Sequence, residues 1–211
     1  MTMLFKAATL SLAVALIGCD GGPEVDTVAT GPDVDVSDVP PVARQSRRMT
    51  IQQLEGALGI ALGDDLAGNP ITWTIEQNGQ AFNVLSPTIL GPTLGHPDYI
   101  NIKEEPAEAS TLFVKLTADM ARNVCAQAVL ADEQRPESER AVMRFSDVTE
   151  NLIYLHLRFL GLRVTADDSS VVGLRKVYDA ARGEAQEGSP ETAAWHAVCI
   201  ALLESPAFYI Y

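Results

Sequence analysis

From residue 50 onward, apolar residues recur mostly at helical spacing. Thr50 and Gln53 make a capping box ahead of Ile51, Leu54, Leu58 and Leu62, which share one helical stripe that Gly63 ends. The period then changes to two. Ile71, Trp73 and Ile75 alternate with Thr72, Thr74 and Glu76, and Asn78-Gly79 supplies a tight turn before Ala81 to Leu85, which predicts a small β-hairpin over 71–85. Ser86 to Pro106 contains Pro87, Pro92, Pro97 and Pro106 and keeps neither period, which predicts a long Pro-rich loop. Helical spacing returns at Ser110 with Leu112, Leu116, Met120 and Val124, and continues to about Glu133. A second stripe, Val148, Leu152, Leu155 and Phe159, lies between a cap at Ser146 and a stop at Gly161. A third follows Asp167-Asp168 with Val171, Leu174, Val177, Tyr178 and Ala181. The last begins at Ser189-Pro190-Glu191, where a cap, a first-turn proline and a first-turn acid coincide, and Pro206 halts it. Its inward residues are Ala194, Trp195, Val198, Cys199, Leu202 and Leu203. These patterns predict a mainly α fold, a single-domain helical bundle of about five helices with a small β-hairpin and a Pro-rich loop, over residues 47–211.

The first 46 residues follow a different logic. Met1 to Lys6 carries a positive charge, and the uncharged run Ala7 to Gly18 is shorter than the roughly 20 residues a bilayer span requires, so residues 1–18 read as an export signal. Leu16-Ile17-Gly18-Cys19 resembles the lipobox of bacterial lipoproteins. That resemblance implies a diacylglyceryl group on Cys19 as the chain's covalent lipid, each buried methylene adding about 0.8 kcal/mol of anchoring. The alternative is an ordinary cleavage site with an incidental cysteine. Residues 19–46 are then the acylated cysteine and an acidic tether rich in Asp, Pro, Val and Gly, expected to be disordered. Asp33, Asp35 and Asp38 are not a calcium loop, because no turn glycine follows and Arg44 stands where a bidentate glutamate would be needed.

Composition narrows the class further. A hydrophobic fraction of 47% is too high for a disordered chain. The formal charge is −13, and losing Lys6 with the signal adds one negative unit to give −14, so nucleic acid is not an expected partner.

Reactive residues are few. With Cys19 acylated, Cys125 and Cys199 remain in an oxidising compartment, and a disulfide between them is expected, with two buried free thiols as the alternative. A loop of this size would contribute about 4.5 kcal/mol. No metal site is expected, since Cys125, Cys199, His96, His156 and His196 form no paired ligand motif. His196 stands three residues before Cys199, which could place a base beside a thiol, although a packing cysteine next to a partly exposed histidine is the simpler meaning. His156, among Leu155, Leu157 and Phe159, reads as a satisfied core or boundary histidine. The pairs Asp64-Asp65, Glu104-Glu105 and Asp167-Asp168 read as solvated turns and helix caps. His96, Asp98 and Tyr99 are the candidate ligand loop, because they combine complementary proton chemistry on one segment, although a pinned Pro-containing turn explains them as well. No catalytic residue is assigned, and no hydrolase, Walker or dinucleotide motif occurs.

Three segments resemble the accessory domains of secreted bacterial proteins built around planctomycete-type cytochrome c domains. They are Arg47-Arg48-Met49-Thr50-Ile51-Gln52-Gln53-Leu54, the stretch from Asn151 to Gly161, and Ala194-Trp195 running to Ser205-Pro206-Ala207-Phe208. The resemblance implies a helical envelope module. It implies no haem, because Cys-x-x-Cys-His is absent, and it carries no catalytic residue to this chain. The sequence therefore leads us to expect a lipid-anchored, extracytoplasmic cell-envelope protein, non-enzymatic, that binds or assembles with another envelope protein. It leaves open which membrane holds the lipid. The alternative is an enzyme or redox accessory using the His96/Asp98/Tyr99 loop or the Cys199 region.

Overall fold

A computed structural model describes residues 46–97, 104–185 and 189–211. The lipobox, the tether up to residue 45, and Asp98 and Tyr99 of the candidate ligand loop lie outside the described residues. The order of elements is α1 (Ile51–Leu62), β1 (Thr74–Gln77), β2 (Gln80–Asn83), α2 (Thr111–Glu133), α3 (Val148–Leu160), α4 (Ser169–Glu184), α5 (Pro190–Leu203) and the one-turn α6 (Pro206–Tyr209). The fold is mainly α with a two-stranded antiparallel hairpin, as the periodicities predict.

Each boundary has a local cause. The Thr50 hydroxyl accepts from the Gln53 amide while the Gln53 side chain accepts from the Thr50 amide, which satisfies donors that an open helix start leaves unpaired. In the hairpin Thr74 pairs with Asn83 and Gln77 with Gln80. Asn78 and Gly79 close it with φ of 54° and 75°, the left-handed backbone that a two-residue hairpin turn demands. Ser110 and Ser189 cap α2 and α5 through their side chains. The cap of α3 is Asp147, not Ser146: its carboxylate accepts from the Glu150 amide at 2.8 Å and brings a full charge to the positive end of the helix. Pro206 ends one helix and begins another, because its fixed φ suits the first turn of α6.

The core is continuous through α1, α2, α3 and α5, with Leu58, Val124, Leu152, Leu155, Val198 and Leu203 all at 0% exposure. Helix α5 is its axis: it packs on α2 and α4, and buries all six residues its sequence stripe singled out. Trp195 lies against Tyr178 of α4, ring centroids 4.6 Å apart. Helix α2 departs from expectation by about one residue. Leu112 is 46% exposed and Leu116 only half-buried, while Phe113 and Thr117 face inward. Phe113 meets Tyr209 edge-on at 5.8 Å and lies under the Arg48 guanidinium, so partners distant in sequence set the rotation of the helix. Thr117 enters the core with its hydroxyl donating to the Val114 carbonyl.

The chain entering α1 is clamped to the far end of the domain. Arg47 and Tyr211 exchange backbone hydrogen bonds of 2.9 Å, Met49 donates to Tyr209, and Arg48 donates to Ala107 on the other side. Cys125 of α2 and Cys199 of α5 are joined by a disulfide, with Cα atoms 5.8 Å apart and both residues fully buried.

Candidate functional site

The first half of the Pro-rich loop is ordered by its own backbone. A 3-10 turn at Pro92–Leu94 ends at Gly95, where φ is 93°. An added Cβ there would stand 2.7 Å from Pro106 Cδ and 2.8 Å from Arg48 Nη2, so only glycine fits. The His96 amide donates to Gly91 O at 2.8 Å, and its Nδ1 lies 3.0 Å from the Pro97 carbonyl, so the ring donates there. His96 lines a shallow cleft of about 340 Å³ with Arg47, Thr50, Gln52 and Glu104. The structure thus places His96 beside the start of α1, while Asp98 and Tyr99 belong to residues it does not describe.

Behind this cleft is a pair the sequence did not reveal. Arg48, which closes the basic cluster after the tether, is 4% exposed and lies 3.5 Å from Glu105. Its Nη2 donates to Leu94 O and its Nη1 to Met49 O. Glu105 accepts from the Ile51 amide through both oxygens, at 2.9 and 3.2 Å, where the helix end favours a negative charge. Glu105 is therefore half-buried and caps the start of α1 from outside the helix, the cap and not the solvated turn among the two meanings expected of Glu104-Glu105. Burial pushes the Arg48 guanidinium below its ordinary range, and the Glu105 charge opposes that shift. Asp65, Asp167 and Asp168 do behave as turn and cap residues. Each carboxyl is held below the usual range, chiefly by the Asn69 amide at Asp65, the Thr165 hydroxyl at Asp167 and the Ser170 hydroxyl at Asp168.

The remaining candidates take structural roles. Cys199 is joined to Cys125, so no free thiol stands beside His196, whose Nε2 meets the Arg122 carbonyl at 3.2 Å. His156 is buried, with Nδ1 donating to Leu152 O at 2.8 Å. Sequence reasoning also missed Asp132, a fully buried carboxylate accepting from the amides of Ala141, Val142 and Met143 at 2.6–2.9 Å. Asn151 completes this knot by accepting from the Phe145 amide and donating to Val142 O. Its only sequence signal was an acid at the end of an apolar stripe. Among the described residues no group of three or more His, Cys, Asp or Glu is placed to hold a metal ion, and no helix is long and apolar enough to cross a membrane.

The larger concavity lies elsewhere, where the C-terminal half of α2 meets the start of α5. One part, about 540 Å³, is polar and bounded by Glu133, Glu137, Arg140, Phe145 and Glu191. The other, about 350 Å³, has Ala126, Val129, Leu130 and Ala193 as its surface, with His196 at the edge. Glu133, Ser189 and Thr192 line both, so the two parts adjoin along the α2–α5 seam, and together they are called the trough. The Thr192 hydroxyl donates to Glu133, which ties α5 to α2 where the two parts meet. No known protein family matches the chain, nor does any curated protein or solved structure.

Proposed function

We propose that this chain is a lipid-anchored module of a bacterial cell envelope, carried outside the cytoplasm on the acylated Cys19, where its folded domain binds another envelope protein. The observation that carries the reading is the Cys125–Cys199 disulfide in the centre of the folded domain. Structural disulfides persist in exported proteins and are rare where thiols are kept reduced. The lipobox-like Leu16-Ile17-Gly18-Cys19 supports the same address independently. The binding role draws on the domain's surface: its two cysteines are bonded to each other, its buried histidine is engaged with backbone, and an open trough between α2 and α5 offers a surface to a macromolecular partner.

The test is to crosslink intact cells, isolate the protein from membranes, and identify what accompanies it by mass spectrometry, with the Cys19→Ala form as a soluble control. We expect the variant to leave the membrane fraction and the same partner to accompany both forms. If no protein recurs with either form, the binding role fails; if the variant stays in the membrane, the lipid anchor fails.

A further inference from the structure

We infer that the trough between α2 and α5 is a docking groove for a basic amphipathic helix of the partner protein. The inference rests on the binding role proposed above and specifies its surface and chemistry. The apolar part carries Leu130, 54% exposed, beside Ala126 and Ala193. A single exposed leucine is ordinary on a protein surface. Here, however, it lines a concavity that contains Glu133 and adjoins one bounded by Glu133, Glu137 and Glu191. Among the described residues none of the three is in an ion pair, as holds for every described acid but Glu105, Asp119, Asp179 and Glu204, and Glu133 accepts from the Thr192 hydroxyl. Arg140, the one cation lining the trough, directs its Nε to the Arg135 carbonyl.

Charge selects the occupant. A second copy of a chain carrying −13, or its own tether with Asp26, Asp33, Asp35 and Asp38, would bring like charge to a negative rim. A helix with an apolar stripe at i, i+3, i+4 and i+7 seats that stripe over Leu130 and Ala193, and its flanking lysines or arginines extend to the three glutamates. The groove is preformed, because its two walls are joined by the disulfide and by the Thr192–Glu133 hydrogen bond.

The test uses the soluble Cys19→Ala chain, tether included, and two fluorescent peptides of equal length. One carries leucines and lysines at helical spacing; in the other every lysine is replaced by glutamate. We expect saturable binding of the lysine peptide alone at near-physiological salt. The double variant Glu133→Lys/Glu191→Lys should weaken it about tenfold or more, and Leu130→Ser about fivefold. The control Glu76→Lys/Glu108→Lys changes net charge equally at exposed sites that do not line the trough, and should change binding less than about twofold. Thermal melts verify that each variant folds, and Glu133→Gln/Glu191→Gln replaces a reversal that does not. Equal weakening by both reversals, equal binding of both peptides, no effect of Leu130→Ser, or no saturable binding overturns the groove. In the crosslinking experiment, a partner retained by Glu133→Lys/Glu191→Lys overturns the groove and leaves the binding role standing. Absence of any partner from the unaltered chain overturns the binding role itself.

Discussion

Arg48 holds together three segments that are far apart in sequence. Its guanidinium lies 4.6 Å from the Phe113 ring centroid, reaches Leu94 of the loop, and faces Glu105 at the start of α1. The Arg48 side chain is 2% exposed, and that of Glu105, 10% exposed at the edge of the cleft, is largely withdrawn from water, so removing one leaves the other's charge poorly compensated. Arg48→Met should therefore cost about 3 kcal/mol in urea unfolding, with Arg48→Met/Glu105→Gln recovering much of it. If the double variant loses as much as the sum of the two singles, the pair is not coupled. The exposed acids act at another pH. Asp65, Asp167 and Asp168 have folded-state values below the ordinary 3.8, so their contribution is complete above that value and is lost as pH falls through the lower folded values. Acid titration of unfolding should show stability falling below about pH 4, with Asp168→Asn flattening that fall. These roles differ in how far they are visible along the chain. Asp168 stands before a stripe and reads as a cap. Arg48 and Asp132 do not stand out, because a buried charge is defined by partners at distant positions.

At the scale of elements, local chemistry wrote most of the architecture. The capping box at Thr50, the Asn78-Gly79 turn and the Ser189-Pro190 start each determine their own neighbourhood and occur where the sequence places them. Rotation of α2 was not legible, since Leu112 and Phe113 are equally apolar neighbours and only Tyr209 and Arg48 decide which turns inward. The α2–α5 contact was legible in part: two cysteines on two apolar stripes suggested a link, and the structure makes it across a sequence separation of 74. That bond closes a loop holding the rest of α2, α3, α4 and most of α5. Reduction should lower stability by about 4.5 kcal/mol through the entropy returned to the unfolded chain. Urea unfolding with and without reductant measures it directly. Labelling of both thiols in unfolded, unreduced protein would mean the bond is absent from the native molecule.

For the whole molecule, the trough was the least legible feature. Glu133, Glu137 and Glu191 are separated by a connection, two helices and a helix start, and the packing of α5 on α2 gathers them around one concavity beside the one that Leu130 lines. The proposed address, by contrast, rests on one local stretch, the lipobox-like Leu16-Ile17-Gly18-Cys19. A single acyl chain holds a protein to a bilayer only reversibly, whereas a diacylglyceryl group buries two, each methylene contributing about 0.8 kcal/mol. On the proposed reading the anchor would reside in one sulfur atom, and neither the acidic tether nor a domain of high negative charge would compensate for its loss at an anionic surface. Cys19→Ala should move the protein quantitatively from the membrane pellet to the soluble fraction, with no change in the urea midpoint of the folded domain. Washing membranes of the unaltered protein with high salt separates this from electrostatic adhesion. A lipid anchor withstands the wash, whereas release by salt would place the attachment in surface charge and remove Cys19 from its role.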